Sequence, residues 1–161
     1  MKRHHWALLF LFLLSPSFAV QALEVVDDRG FRTTLPHAPQ RIVSLLPSLT
    51  ESICELGYCE RLVGVDRYSD FPASMKNLPQ LGGGLDPNIE AIVALKPDVV
   101  LMATSSRSSE RLRALGLNVV ALEPKTHADV QRVLRKIGHL LETPDVDKIY
   151  LPSSTASLKV S

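Results

Sequence analysis

The sequence is poor in the features that announce most chemistries. Its 161 residues include two cysteines, one tryptophan and an aromatic share of 6%, too few thiols for a disulfide-dense scaffold or a pair of C-x-x-C zinc-binding arms. No G-x-S-x-G, H-E-x-x-H or C-x-x-C segment occurs, so the common signatures of nucleophilic and metal-assisted hydrolysis are absent. Gly82-Gly83-Gly84 lacks the G-x-G-x-x-G spacing and follows no strong strand, which argues against a dinucleotide loop; glycines there suit a backbone that passes close to something else. Neither sign of charge dominates, with a formal net charge of +1, and nothing invites nucleic acid or an anionic membrane as partner. The Trp6–Leu14 run is too short to span a bilayer. What remains, 45% hydrophobic and 22% charged, is the composition of one ordinary globular domain with a margin, not of a disordered, collagenous or multispan chain.

The N-terminal segment reads as an export signal. Lys2, Arg3, His4 and His5 precede the apolar run, and Ser15 to Ala22 supplies small residues and a helix breaker. Cleavage is expected after Ala22, with Ala19 as the alternative, and the mature chain is expected in the periplasm. Removing Lys2 and Arg3 with the signal leaves 16 basic against 17 acidic residues. In an oxidising compartment Cys54 and Cys59 could form a bridge, but it would close a very small loop, and the alternative is two small apolar residues, one of them buried.

Along the mature chain, Leu23–Leu35 has two short strands around Asp27-Asp28-Arg29-Gly30 and is expected to form a hairpin. Arg41–Leu46 reads as a buried strand. Ser48-Leu49-Thr50-Glu51 reads as a capping box opening a helix with Leu49, Ile53 and Leu56 inward and Gly57 at its end. Leu62–Val65 is the next strand, followed by a loop from Arg67 to Met75. Asp86-Pro87-Asn88 opens a second helix, with Ile89, Ile92, Val93 and Leu95 on its buried side, and Asp98–Met102 is the clearest strand. Ser108-Ser109-Glu110 begins a third helix that ends at Gly116, and Asn118–Leu122 is another strand. Thr126 to Asp129 caps the longest helix, whose apolar face is Val130, Val133, Leu134, Ile137, Leu140 and Leu141. Strands and helices alternating at short spacing imply an α/β layered domain with a mainly parallel sheet.

Such a sheet presents ligands at the carboxyl ends of its strands. There the sequence offers Pro47-Ser48, Asp66–Phe71, Ala103–Ser109 and Glu123–Thr126. Ser48 can cap its own helix or help bind an anion at the helix N-terminus. Asp66-Arg67-Tyr68-Ser69-Asp70-Phe71-Pro72 combines a ring that can stack with a guanidinium that can pair an anion, and is the best binding candidate; otherwise Arg67 pairs with Asp66 or Asp70 on a plain surface loop. His37, His127 and His139 show no sign of convergence.

Three segments, Arg41–Glu51, Leu62–Pro72 and Asn88–Leu101, in this order and spacing, resemble the periplasmic solute-binding proteins of iron-complex and cobalamin ABC importers. The resemblance covers nearly all of Arg41–Leu141. It implies a Rossmann-like parallel-sheet lobe, the N-terminal one of two lobes joined by a long helix, with a metal chelate bound between them. The implied organisation is a signal at 1–22, a hairpin and linker at 23–40, a lobe at 41–125, the start of an interlobe helix at 126–143, and an irregular tail at 144–161 with no second lobe. By position, Tyr68 corresponds to a tyrosine that packs on the corrin of the cobalamin-binding member, and Glu90 to an acidic residue that docks onto permease arginines. That member has tryptophans near the positions of Gly84 and of Ala103 or Thr104, whereas the only Trp here is Trp6. Expected ligand contacts are Tyr68, Arg67, Ser48, Gly84 and Thr104, with Glu90 for docking, no catalytic residue and no resident cofactor. The implied partners are an ABC permease and its ATPase, and the implied cargo is cobalamin first, a ferric siderophore or haem second. Alternative readings are a truncated fragment without function, or a periplasmic α/β enzyme or interaction domain built on the same loops.

Overall fold

The computed structural model describes residues 22–144 and Val146. The expected export segment, apart from Ala22, and nearly all of the expected tail lie outside the described residues.

The hairpin pairs β1 (Leu23–Val26) with β2 (Arg32–Leu35) antiparallel, Leu23 opposite Leu35 and Val26 opposite Arg32. Alternation turns Leu23, Val25, Thr33 and Leu35 inward. Asp27 holds the turn: one oxygen of its buried carboxylate accepts from the amides of Arg29 and Phe31, each at 2.9 Å. Its other oxygen accepts from the Arg113 guanidinium at 2.9 Å and the Ala121 amide at 3.1 Å, so the hairpin tip is fastened to the edge of the main sheet.

That sheet contains β3 (Ile42–Ser44), β4 (Leu62–Val65), β5 (Val99–Met102) and β6 (Val119–Ala121), all parallel, in the order β4-β3-β5-β6. Both its faces are covered, which is why these strands are apolar without a break. Ile42, Val99, Leu101 and Val120 face one core with Leu49, Ile53, Val133, Ile137 and the hairpin. Val43, Val100, Met102 and Val119 face the other, with Ile89, Ile92 and Leu112. Helices α1 (Pro47–Glu55) and α4 (His127–Leu141) therefore lie on one face and α2 (Ile89–Ala94) and α3 (Ser108–Ala114) on the opposite one.

The α/β class and the parallel sheet agree with the sequence reading; several local details differ. Ser48 is no cap: Pro47 occupies the start of α1, Leu46 is the N-cap residue and no side chain caps the helix. Proline suits that position because its fixed φ is already helical and its missing N–H would find no helical acceptor. In α2, Asn88 caps as expected, accepting from the Ala91 amide at 3.0 Å, but Val93 is exposed and Leu95 only half-buried. So short a helix turns just Ile89 and Ile92 fully inward. On α4 the expected box is present, Thr126 and Asp129 each accepting from the other's amide at 3.2 and 2.9 Å, whereas Val130 is exposed because it borders an open hollow. The loop after β4 contains a short 3-10 helix, Ala73–Asn77, and another, Cys59–Arg61, precedes β4. Cys54 and Cys59 are joined, their Cα atoms 4.2 Å apart.

Candidate functional site

The strand order locates the site. The connection after β3 runs to α1 on one face of the sheet, and that after β5 runs to α3 on the other, so two adjacent strands send their loops apart and leave a crevice at their carboxyl ends. The loops after β4 and β6 flank it.

The loop after β4 is fastened along its length. The Asp66 carboxylate, buried, accepts from the Tyr68 amide at 2.8 Å and the Ser69 hydroxyl at 2.5 Å. The Arg67 amide donates to the Gly82 carbonyl at 2.8 Å, and its guanidinium pairs with Asp86 at 2.8 Å, not with Asp66 or Asp70 as its neighbours in sequence suggested. Arg67 also lies 5.7 Å from the centre of the Tyr68 ring, within cation–π range. On this frame Tyr68 is 66% exposed, Phe71 65% and Leu85, in the next loop, 76%. Three large apolar groups are thus left open to solvent on this pair of loops.

Gly84 lies at the crevice itself. A Cβ there would sit 3.0 Å from the Leu45 carbonyl oxygen, and its own carbonyl accepts from the buried Ser106 hydroxyl at 2.7 Å, so the glycine segment is threaded between the ends of β3 and β5. Thr104 donates to the Glu123 carboxylate, which also accepts from the Ser105 amide at 3.3 Å and pairs with Lys125 at 3.9 Å. Ser48, in the first turn of α1, borders a hollow of about 320 Å³ whose wall includes Phe71, Pro124, Val130 and Leu134. A larger hollow of about 560 Å³ lies at the far end of α4, beside Ala22, Glu24, His139 and Glu142; among the described residues it is lined by no Phe, Tyr or Trp, and it stands away from the strand ends. At the start of α4, Asp129 is held down to about 2 by hydrogen bonds from Arg132 and Thr126, so it stays anionic throughout the working range.

The fold thus gathers Arg67, Tyr68, Gly84, Thr104 and Ser48 at one end of the sheet. Glu90 is exposed in the first turn of α2, which starts beside the carboxyl end of β4, with Arg111 3.8 Å away. Cys54 and Cys59 join the far end of α1 to the segment entering β4. Sequence reading did not single out Phe71 as a contact, although it stands in the loop identified, and it missed Leu85 and the buried hydroxyls under the loop. Among the described residues, no group of three or more His, Cys, Asp or Glu side chains could hold a metal ion, and no helix is long and apolar enough to cross a membrane.

Comparison with known proteins follows this geometry. Residues 42–151 match the family model described as periplasmic binding protein. The chain is 34% identical over 110 residues to the vitamin B12-binding protein of Pectobacterium carotovorum, covering 66% of this chain and 40% of that one. The crystal structure of a periplasmic heme binding protein from Pseudomonas aeruginosa superposes with a TM-score of 0.61 at 32% identity, covering 67% of this chain and 40% of its own. The periplasmic vitamin B12 binding protein BtuF of Vibrio cholerae gives 0.59 at 30%, covering 68% and 44%. The chain therefore spans about two fifths of the length of these relatives.

Proposed function

The chain belongs to the periplasmic binding protein family, and from that premise we propose that it captures a metal chelate, cobalamin first and a ferric siderophore or haem second, for delivery to an ABC importer. Its relatives are binding proteins, and its action is binding without bond chemistry. The single observation that carries the ligand class is the pair of exposed rings, Tyr68 and Phe71, on one braced loop at the strand ends. A broad, flat chelate gains from stacking on such rings, and its polar edge finds Arg67, Ser48 and Thr104 nearby. Gly84, packed against the Leu45 carbonyl, brings its backbone to the ends of β3 and β5 where the chelate would sit. Glu90 is the docking residue for the permease: its side chain is 82% exposed and its contact with Arg111 is long enough to be exchanged for a partner's arginine. On this reading 41–125 is a ligand-binding lobe, and α4 begins the helix that leads towards a second one.

Titration calorimetry with cyanocobalamin, a ferric siderophore and haemin tests the proposal. Saturable binding of cyanocobalamin, weakened about tenfold by Tyr68→Ala, is expected, a loss of about 1.4 kcal/mol. Binding of haemin alone would keep the class and change the cargo; a folded protein that binds none of the three would overturn the reading. Glu90→Ala is expected to leave chelate affinity unchanged while weakening capture by permease-containing vesicles.

A further inference from the structure

Beneath the Tyr68–Phe71 loop lies a line of buried polar side chains. Ser44, Thr50, Asp66 and Ser69 are each 3% exposed or less. Ser69 Oγ donates to Asp66 Oδ2 at 2.5 Å, and Thr50 Oγ1 is 3.0 Å from Ser69 Oγ and 2.9 Å from Ser44 Oγ. Each hydroxyl has one proton. With that of Ser69 committed to the carboxylate, Thr50's single proton is shared between Ser44 Oγ and Ser69 Oγ, and Ser44's reaches the Leu46 carbonyl at 3.4 Å. The three hydroxyls thus form one buried line from the end of β3 through α1 to Asp66. The remaining Asp66 oxygen takes the Tyr68 amide at 2.8 Å, so the line ends on the backbone of the exposed tyrosine.

Burying four polar groups where apolar ones would pack costs stability unless every member is satisfied. What this arrangement gains is geometry, because it ties the end of β3, the body of α1 and the loop after β4 into one unit. Building on the binding function proposed above, we propose that Ser44, Thr50, Ser69 and Asp66 are positioning residues for the ligand site. They hold Tyr68 and Phe71 in the presented geometry before the chelate arrives, so that little ordering is left for the binding step.

The test uses the full chain and the variants Thr50→Val, Thr50→Ser and Ser69→Ala. Thr33→Val is the control, since it removes a buried hydroxyl bonded to the Val119 carbonyl at 3.2 Å, away from the loop. Two quantities are read: amide hydrogen exchange over residues 66–71 without ligand, and the Kd for cyanocobalamin and haemin. Thr50→Val and Ser69→Ala are expected to speed exchange in the loop about tenfold and to raise Kd about tenfold. Thr50→Ser should restore both, and Thr33→Val should move neither even though it lowers the unfolding midpoint. Unchanged loop exchange would overturn the positioning role, and so would faster exchange with an unchanged Kd. If the wild-type protein binds neither chelate, the proposed function falls while the unliganded exchange still decides whether the hydroxyl line holds the loop. Should Thr50→Val fail to fold, Ser69→Ala alone decides between these outcomes.

Discussion

Asp28 shows what one side chain does in this fold. Its carboxylate accepts from Arg132, from Lys136 at 2.9 Å and from the Glu123 amide at 3.1 Å, linking the hairpin tip to α4 and to the segment after β6. Burial alone would raise its pKa, but the hydrogen bonds from Arg132 and Lys136 outweigh it and hold the group below its ordinary 3.8. A carboxyl depressed by folding stabilises fully above its unfolded value, and that contribution fades as pH falls through the folded one. Thermal unfolding followed from pH 6 downwards should therefore show a midpoint that drops below about pH 4, with a shallower drop in Asp28→Asn. Asp28→Ala is expected to cost about 2 kcal/mol at neutral pH. At the rim, Phe71→Ala and Leu85→Ala should change unfolding free energy by less than about 0.5 kcal/mol, because both side chains are already mostly in water; any loss they cause belongs to binding. Residue type alone does not separate them from core: Leu81 is buried and Leu85 exposed four positions later. Tyr68 was legible because a ring among Asp, Arg and Ser has few apolar neighbours in sequence to pack against.

Elements were legible where two-sided burial leaves its mark. Val99–Met102 is buried at every position, and no other arrangement suits four consecutive apolar residues so well in a short strand. Helix ends were less legible, since Ser48 and Glu51 have the spacing of a capping box but Pro47 begins the helix before the serine can cap it. The bridge between Cys54 and Cys59 was one of two open readings, because spacing fixes the loop size and not the approach of the two backbones. By closing so small a loop it is expected to contribute about 2 kcal/mol, which denaturant unfolding of the Cys54→Ala/Cys59→Ala double variant would measure. Its position just before β4 means that a larger loss would reach the loop carrying Tyr68.

Over the whole molecule, the order β4-β3-β5-β6 decides where ligand chemistry can occur. Alternation of strands and helices announced the parallel sheet, but Gly84 against Leu45 and Ser106, or Ser44 in line with Ser69, are contacts between residues far apart in sequence that only the assembled sheet creates. The central claim is that this carboxyl-end crevice is the binding surface. Hydrogen–deuterium exchange with and without saturating cyanocobalamin, and in parallel haemin, tests it most directly. The account predicts protection over 45–48, 66–71, 82–86 and 103–106; protection confined to the hollow beside Ala22 and Glu142, or none on the strand ends, would contradict it.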